Sequence, residues 1–483
     1  MKIGVARNYV YNTMITILNI LFPFITVPYI TRVLEPQSVG SIAFTSSIVQ
    51  WFAVFAELGF YLFGVRRIAS VRKDIRMVNI EFSNIVFAKS LSFIAVFIMY
   101  VLFVIFFGKK YFTLFVIQSI MLVNVPLDIT FLYAGIEDFK QITLRSLIMR
   151  SVGLLLLFLL VKRPEDYLKY ALISVLTTFF GNIWMWSGLK RRGMFLQKPE
   201  LSKIKYYFVG TLKLFIPILA IQIYAVLDKT MVGILSAESE VAYYDLSQRL
   251  VKISLGLVTS LGPVMLSKMS HVVSEGIEEV RDKYIKYSFE FMTYAAVLII
   301  VMIITTMQDF VPFFFGSKYT AVKNLIVYIS PIILFIAWSN LIGIQVMLPL
   351  KKESYLTLSV FVGAISNFTL NLILIPKYRA LGAVIATDVA EFMVTFVQII
   401  LIRRLIDVGR LFKDVWKHFL AGTVTFGLLM VLSKLPVGNA YQRIALNILS
   451  GTIFYILIQY LLRSEINGII LKKLKATVSR IFG

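Results

Sequence analysis

Three charged residues share one face of a predicted helix near the middle of the chain. Asp245, Arg249 and Lys252 are spaced at i, i+4 and i+7, which places them on the same side of a helix. Lys89 and Arg150 add positive charge within two other apolar segments. Guanidinium groups bind phosphate oxygens through paired hydrogen bonds, and lysine supplies a point charge. These cations predict a basic cavity that suits an anionic group such as a phosphate, unless Asp245 and Arg249 simply neutralise each other and Lys89 extends to the membrane interface.

Polar side chains form stripes along the first two predicted helices. Stripes of this kind either line a water-filled path or join helices through hydrogen bonds. We favour the path, which would offer a polar substrate many neutral hydrogen-bonding partners. The side chains predicted to line it are Asn8, Asn12, Asn19, Gln50, Glu57 and Gln222.

Several carboxylates lie inside apolar segments, where burial disfavours the charged form and lets an acid exchange protons near neutral pH. Asp128 and Asp228 lie near predicted helix ends, where they can instead hold turns. The candidate sites for coupling to H⁺ or Na⁺ are Asp128, Asp228, Asp245, Asp388 and Glu391. We predict no other cofactor.

The sequence does not favour a metal site. It contains no cysteine and two histidines. Both His271 and His418 are predicted to lie in polar connections. We therefore predict that the chain binds no structural or catalytic metal.

These residues must be positioned by membrane-spanning helices. The 483 residues are 59% hydrophobic and 16% charged, and about fourteen apolar stretches have the length of roughly twenty residues that a helix needs to cross a bilayer. The predicted spans, good to a few residues, are about 9–31, 40–63, 82–107, 111–133, 143–161, 167–189, 207–235, 241–266, 287–308, 322–349, 355–375, 380–402, 412–433 and 441–462. The fold class is an all-α integral membrane protein.

Positive charge is concentrated in alternate connections. With the amino terminus inside, the inside connections hold roughly 31 of the 49 Lys and Arg residues, the outside connections roughly 13 and the helices roughly 5. This asymmetry predicts that both termini are cytoplasmic. The net charge of +23 is explained by topology and anionic lipid, so nucleic acid is not a predicted partner.

The connections are too short to hold a catalytic domain. The longest, at about 267–287, is predicted to be a charged interfacial helix, and the phosphate-binding loop of an ATP-driven pump does not occur in the sequence. We therefore predict a secondary transporter or flippase rather than an enzyme.

A polar connection divides the first twelve helices into two sets of six. Because six is even, both sets enter the membrane in the same orientation, as in a parallel repeat with a substrate site at its interface. The predicted domains are an amino-terminal six-helix lobe, a cytoplasmic linker, a carboxy-terminal six-helix lobe, helices 13 and 14, and a basic amphipathic tail, at 1–190, 191–206, 207–404, 405–463 and 464–483.

Six motifs in order resemble the polysaccharide flippase family, the O-antigen and teichoic-acid type exporters of the multidrug/oligosaccharidyl-lipid/polysaccharide exporter superfamily. They are PYITRVLEPQSVG at 28–40, GVRRIAS at 64–70, DITFLYAGIEDF at 128–139, DKTMVGILSAESEVAYYD at 228–245, LPLKKESY at 348–355 and IPKYRALGAVIAT at 375–387. The resemblance covers about residues 5–405. At three turns where the family often has glycine, this chain has Glu35, Val241 and Arg379.

The resemblance implies two six-helix lobes around a central cavity that alternates between inward-open and outward-open states. Its implied substrate is an oligosaccharide on a polyprenyl pyrophosphate carrier, moved from the inner to the outer leaflet of the bacterial cytoplasmic membrane for cell-surface polysaccharide export. Expected partners are membrane lipids, a polysaccharide polymerase and other assembly proteins. The alternative function is a multidrug or cation antiporter of the same superfamily, whose cavity should be acidic and aromatic.

Overall fold

The computed structural model describes residues 2–259, 269, 272, 278–434 and 438–472. Side chains are described for these residues except for several between 2 and 20, several between 216 and 225, and residue 257. Within these ranges every regular element is helical. Eleven helical stretches are long and apolar enough to cross a membrane, which confirms the all-α, multi-pass prediction, whereas the predicted count of fourteen stays a prediction.

The helices are numbered in chain order. They are α1 Lys2–Val33, α2 Pro36–Glu57, α3 Phe60–Val71, α4 Ile75–Phe107, α5 Phe112–Leu127, α6 Thr130–Gly135, α7 Phe139–Leu160, α8 Tyr167–Ser187, α9 Ile204–Leu235, α10 Glu238–Thr259, α11 Glu278–Phe315, α12 Val322–Ile329, α13 Ile332–Asn340, α14 Glu353–Tyr378, α15 Ala380–Ile402, α16 Val408–Phe412, α17 Val415–Leu432 and α18 Ala440–Leu461. A π-helix, Leu341–Met347, follows α13.

The chain divides into two compact units, Met1–Ala242 and Tyr243–Gly483. In the first unit, α2 packs against α4, α5 and α9, and α7 packs against α1 and α8. One of its core clusters joins α3, α4 and α6 through buried aromatic side chains, among them Phe60, Phe82 and Phe131. The predicted lobe boundaries at 190 and 207 stay predictions.

Residues 193–200, which precede α9, pack against α4. The side chains of Asn79, Ser83 and Asn84 are buried on one face of α4. Asn79 donates to the carbonyl of Gly193, at 3.1 Å, and Ser83 and Asn84 accept from the backbone amides of residues 197 and 200 at 2.7 and 2.8 Å. These bonds satisfy backbone groups that no helix pairs, so the predicted linker is a fixed part of the first unit.

In the second unit, α14 and α15 form a tight helical hairpin. The turn between them is a single residue, Arg379, with φ of 54°. A Cβ atom on Gly382 would lie 2.4 Å from the carbonyl oxygen of Leu374, so glycine allows the first turn of α15 to contact the end of α14. The motif IPKYRALG at 375–382 therefore encodes the hairpin, even with arginine in the left-handed position.

The prediction for His418 was wrong, because this residue lies inside α17 and not in a polar connection. Its ring is fully buried and its Nδ1 lies 2.9 Å from Nε2 of Gln459 on α18, next to the ring of Tyr294. His271 lies outside the described residues. In the described part of the chain, no group of three or more His, Asp or Glu residues could hold a metal ion.

The carboxy-terminal segment is docked onto α11. Residues 465–472 are helical, and Glu465 contacts both Lys286, at 3.0 Å, and the hydroxyl of Tyr287, at 2.7 Å. These contacts hold the pKa of Glu465 below its ordinary value. The basic residues from 473 onward lie outside the described residues, so the predicted amphipathic tail stays a prediction there.

Gly40 sets the packing distance between α2 and the turn that precedes α10. A Cβ atom on Gly40 would lie 1.6 Å from the carbonyl oxygen of Glu238, far inside contact distance. Any side chain here must push the turn away from α2.

We therefore expect Gly40→Ala to lower the midpoint of thermal unfolding of the detergent-solubilised protein, because backbone atoms cannot yield as a flexible side chain does. The matched control is Gly256→Ala on α10, where a new Cβ would meet no atom within 4 Å. That control gains helix propensity of up to about 1 kcal/mol. Equal midpoints for the two variants would contradict the close approach.

Candidate functional site

The candidate site is built around a break in the second membrane span, between α2 and α3. Helix α2 ends at Glu57, and Leu58 and Gly59 have φ of 45° and 82° before α3 begins at Phe60. The carboxylate of Glu57 accepts a hydrogen bond from the amide of Tyr61 at 2.8 Å, which satisfies one backbone group freed by the break. A Cβ on Gly59 would lie 3.0 Å from the carbonyl oxygen of Thr211, so α9 packs directly against the break.

A second break separates α5 from α6. Pro126 precedes the end of α5, and the side chain of Asp128 accepts from the amide of Thr130 at 2.8 Å at the start of α6. The indole of Trp186 donates to the carbonyl of Leu127 at 2.8 Å. Asp128 thus holds a turn, which was one of the two roles its position in the sequence allowed.

Lys89 connects the two breaks. Its side chain is almost fully buried on α4, with Nζ 2.8 Å from a carboxylate oxygen of Glu57 and 3.1 Å from the backbone carbonyl of Asp128. A charge inside a membrane is costly, by about 2.5–3.5 kcal/mol on insertion scales, and here a carboxylate and a freed carbonyl compensate it. Lys89 therefore does not extend to the membrane interface.

A cavity of about 540 Å³ lies beside this ion pair, within the first unit. Its wall is formed by apolar and polar residues from six helices, α2, α3, α5, α6, α8 and α9, and from the two breaks. The polar residues that line it include Gln50, Glu57, Asn124, Asp128, Thr130, Asn182 and Gln222. Three of these, Gln50, Glu57 and Gln222, were predicted to line a polar cavity.

Arg145 is a neighbour of the cavity that the sequence did not reveal. Its guanidinium donates to the side-chain oxygen of Asn182 at 2.8 Å, and Asn182 in turn donates to Asn124 at 3.2 Å. The chain of contacts links α7, α8 and α5. Arg145 lies near the start of its apolar segment, where a basic residue is normally an interfacial one. The sequence offered one signal for Arg145: it is a second arginine in the same apolar segment, five residues before Arg150.

The other predicted cations occupy different places. Arg150 lies beside α1, with one guanidinium nitrogen 3.4 Å from the carbonyl of Leu18, and it is not among the residues that line the first-unit cavity. In the second unit, Arg249 forms the predicted pair with buried Asp245 at 2.7 Å, yet half of its side chain stays exposed. Lys252 is also exposed.

The candidate coupling acids differ in their surroundings. Asp228 and Glu391 are buried. One carboxylate oxygen of Asp388 on α15 is buried and has no hydrogen-bonding partner among the described residues. Nearby on the same helix, Thr387 bonds with the hydroxyl of Tyr244 at 3.0 Å, so this part of the second unit contains a polar seam. The side chains of Asn8, Asn12 and Asn19 lie outside the described residues.

A charged cluster joins the turns at one end of the first unit. Glu238 accepts from Lys110 at 2.6 Å and from the hydroxyl of Tyr111. The ammonium of Lys110 and the phenol of Tyr111 lower the pKa of Glu238 to about 2, so the carboxylate stays charged at ordinary pH. Together with the contact of Gly40 described above, this cluster holds the turn before α10 against α2.

A multi-pass helical fold with broken helices around a polar intramembrane cavity defines a membrane transporter. The solved structures agree on the fold. The inward-closed conformation of the lipid II flippase MurJ superposes with a TM-score of 0.75 at 15% identity, over 94% of this chain and 98% of that one. An inward-facing multidrug resistance MATE family transporter of the MOP superfamily gives 0.62 at 12% identity, over 86% of this chain and 96% of that one.

The sequence comparisons then identify the family. A family model described as "Polysaccharide biosynthesis protein" matches residues 5–270, more than half of the chain, so the chain belongs to that family. Two relatives are each named "Putative O-antigen transporter". The one from Shigella dysenteriae is 23% identical over 78% of this chain and 94% of its own length, and the one from Escherichia coli (strain K12) is 22% identical over 83% and 97%. These relatives are transporters, which confirms the prediction of a transporter rather than an enzyme.

The coupling between Lys89 and Glu57 can be tested by comparing the stability of a single variant, which removes one charge, with that of the double variant, which removes both. Glu57→Gln keeps the cap on Tyr61 but leaves a buried ammonium without its counter-charge, so we expect a loss of about 3–5 kcal/mol in unfolding free energy. The double variant Lys89→Met/Glu57→Gln removes both charges and should recover most of this loss. The measurement is thermal unfolding in detergent.

The matched control is Glu137→Gln, which removes the exposed partner of Arg72 and should change stability by at most about 1 kcal/mol. If the double variant were as unstable as Glu57→Gln, the two charges would not be coupled.

Proposed function

We propose that the protein is a flippase that moves an oligosaccharide on a polyprenyl pyrophosphate carrier from the inner to the outer leaflet of a bacterial cytoplasmic membrane. The observation that carries the proposal is the amide-rich cavity of about 540 Å³ in the first unit. The family to which the chain belongs and the O-antigen transporter names of the chain's relatives support the same substrate class.

The cavity suits a glycan because its polar lining is dominated by uncharged groups. Gln50, Asn124, Asn182 and Gln222 offer amide donors and acceptors, and Glu57 already has its counter-charge in Lys89. Sugar hydroxyls lose water on entering a bilayer, which costs several kcal/mol for each unpaired group. A polar cavity replaces that water while the polyprenyl chain stays in lipid.

We assign the pyrophosphate to the cations that retain exposed surface. Arg249 is half exposed although it pairs with Asp245, and Lys252 is exposed on the same helix. Both suit phosphate oxygens. Lys89 is compensated within the first unit and Arg150 lies beside α1, so we give these two a supporting role through the charge they add near the substrate path.

Outward movement of an anionic substrate needs no ATP. An inside-negative potential contributes about 2.3 kcal/mol per charge for each 100 mV. We also propose that the protein works by alternating access and that both termini are cytoplasmic. Its proposed partners are a polysaccharide polymerase and other assembly proteins.

A cation antiporter would need a cavity with net negative charge. Two carboxylates line the first-unit cavity, those of Glu57 and Asp128, and two cations lie beside it, Lys89 paired with Glu57 and Arg145 bonded to the lining residue Asn182, so these charges sum to zero. The cavity therefore favours the glycan over a lipophilic cation.

The test is flipping of a fluorescent polyprenyl-pyrophosphate glycan in vesicles containing the purified protein. We expect Gln50→Leu/Gln222→Leu to slow flipping by about thirtyfold, because two hydrogen bonds of about 1 kcal/mol each to the glycan are lost. Arg249→Ala should also slow it, with partial recovery in Arg249→Lys.

The control is Gln197→Leu, since residue 197 contacts α4 through its backbone amide. Equal rates for the double cavity variant and this control would show that the glycan does not use the cavity. Normal rates in Arg249→Ala, Arg249→Lys and Lys252→Ala together would contradict the pyrophosphate assignment. Uptake of a lipophilic cation without glycan flipping would establish the antiporter instead.

For coupling to H⁺ or Na⁺ we propose Asp388, which has a buried carboxylate oxygen without a hydrogen-bonding partner in the described ranges; Asp245 and Glu290 also have one, but they pair with Arg249 and Lys286. We expect Asp388→Asn to abolish any stimulation of flipping by an imposed ion or pH gradient while leaving the rate without a gradient nearly unchanged. The control is Asp128→Asn, because the Asp128 side chain caps α6. Stimulation that survives in Asp388→Asn would exclude Asp388 as the coupling site.

A further inference from the structure

A second cavity, of about 580 Å³, lies in the second unit between α11, α12, α17 and α18. Residues between 304 and 309 of α11 and between 429 and 433, at the end of α17, contribute to its lining. The predicted topology places both groups toward the outer leaflet. The proposed flippase function makes no use of this cavity.

The wall of this cavity has an apolar part and a polar part. Val327, Leu429 and Leu446 contribute to the apolar part, whereas Gln308 and Ser433 contribute to the polar part. A ligand that matches both must be amphiphilic, with a hydrocarbon chain and a polar headgroup.

The charge near the polar part is positive by one unit. Arg443 is neutralised by Asp309, because its guanidinium contacts both carboxylate oxygens at 2.6–3.1 Å. The ammonium of Lys323 donates to Gln308 at 2.7 Å, and none of the ion pairs among the described residues includes it. The remaining positive charge favours an anionic headgroup.

Aromatic side chains mark the depth of the cavity. Tyr328 lines it and is 55% exposed, and the rings of Phe313 and Tyr441 lie 6.5 Å apart on α11 and α18 with large exposed fractions. Exposed aromatic residues concentrate at the level of lipid headgroups. The polar part of the cavity therefore lies where a lipid phosphate lies.

We propose that this cavity binds one anionic phospholipid of the outer leaflet. Its phosphate contacts Lys323 and the edge of the Arg443–Asp309 pair, its glycerol region bonds with Gln308 and lies beside Ser433, and an acyl chain packs along Leu429. The bound lipid would fill the space between α17–α18 and the rest of the second unit.

The experiment exploits the absence of cysteine from the sequence. Full-length Ser433→Cys protein, labelled with an environment-sensitive dye, is placed in phosphatidylcholine nanodiscs without glycan substrate. Brominated phosphatidylglycerol or brominated phosphatidylcholine is then titrated in. We expect saturable quenching by the anionic lipid, and a loss of preference of about fivefold when Lys323→Gln is added.

Two controls separate this site from bulk lipid and from general surface charge. Val431→Cys carries the dye on an exposed position of the same helix and should show quenching that rises in proportion to either lipid. Neither lysine is itself a lining residue, but Lys323 bonds with the lining residue Gln308, whereas Lys434 is exposed just after the end of α17, so Lys434→Gln should leave the preference unchanged.

Equal quenching of the dye at position 433 by both lipids would overturn the proposal, as would an equal loss in Lys434→Gln and Lys323→Gln. A stronger effect from a brominated neutral glycolipid would overturn the anionic headgroup in favour of a sugar.

Discussion

The buried ammonium of Lys89 is the constraint on which the first unit depends. It holds the carboxylate of Glu57 at one helix break and the carbonyl of Asp128 at another, and each break exists only because backbone groups inside the membrane find partners there. Without the lysine, the carboxylate would lack its counter-charge and the freed carbonyl would lose a hydrogen-bond donor. The ion pair thus places a carboxylate beside the cavity without adding to its net charge.

The four cations that the sequence singled out have different surroundings in the structure and therefore different proposed roles. The four cations singled out from their positions in apolar segments do not form one cluster within the first unit: Lys89 is paired internally, and Arg150 lies against α1. Arg249 keeps exposed surface although Asp245 neutralises it. The neutral amides around the cavity are therefore the better basis for recognising a glycan, and the exposed cations of α10 are the better basis for a pyrophosphate.

The two units use their polar residues differently. The first unit places them around a cavity next to helix breaks, whereas the second unit buries a seam that includes Tyr244, Thr387 and Asp388. A second, amphiphilic cavity lies near α17 and α18. Under the proposals made above, the first cavity would hold the glycan, the seam would respond to a gradient and the second cavity would bind a lipid.

The sequence alone was sufficient for the class of fold, because apolar length and charge asymmetry act on each segment separately. The order of its motifs was sufficient for the family. Helical periodicity put Gln50 and Glu57 on one polar face of their helix, and both side chains line the first-unit cavity, as does Gln222; their part in a substrate path stays a prediction. Only the tertiary structure decided which charges meet: the pairing of Lys89 with Glu57, 32 positions apart in the numbering, the contact of Arg145 with Asn182 and the burial of His418 inside α17 all depend on packing between helices. Periodicity assigns a residue to a face of its own helix, but it carries no information about which other helix covers that face.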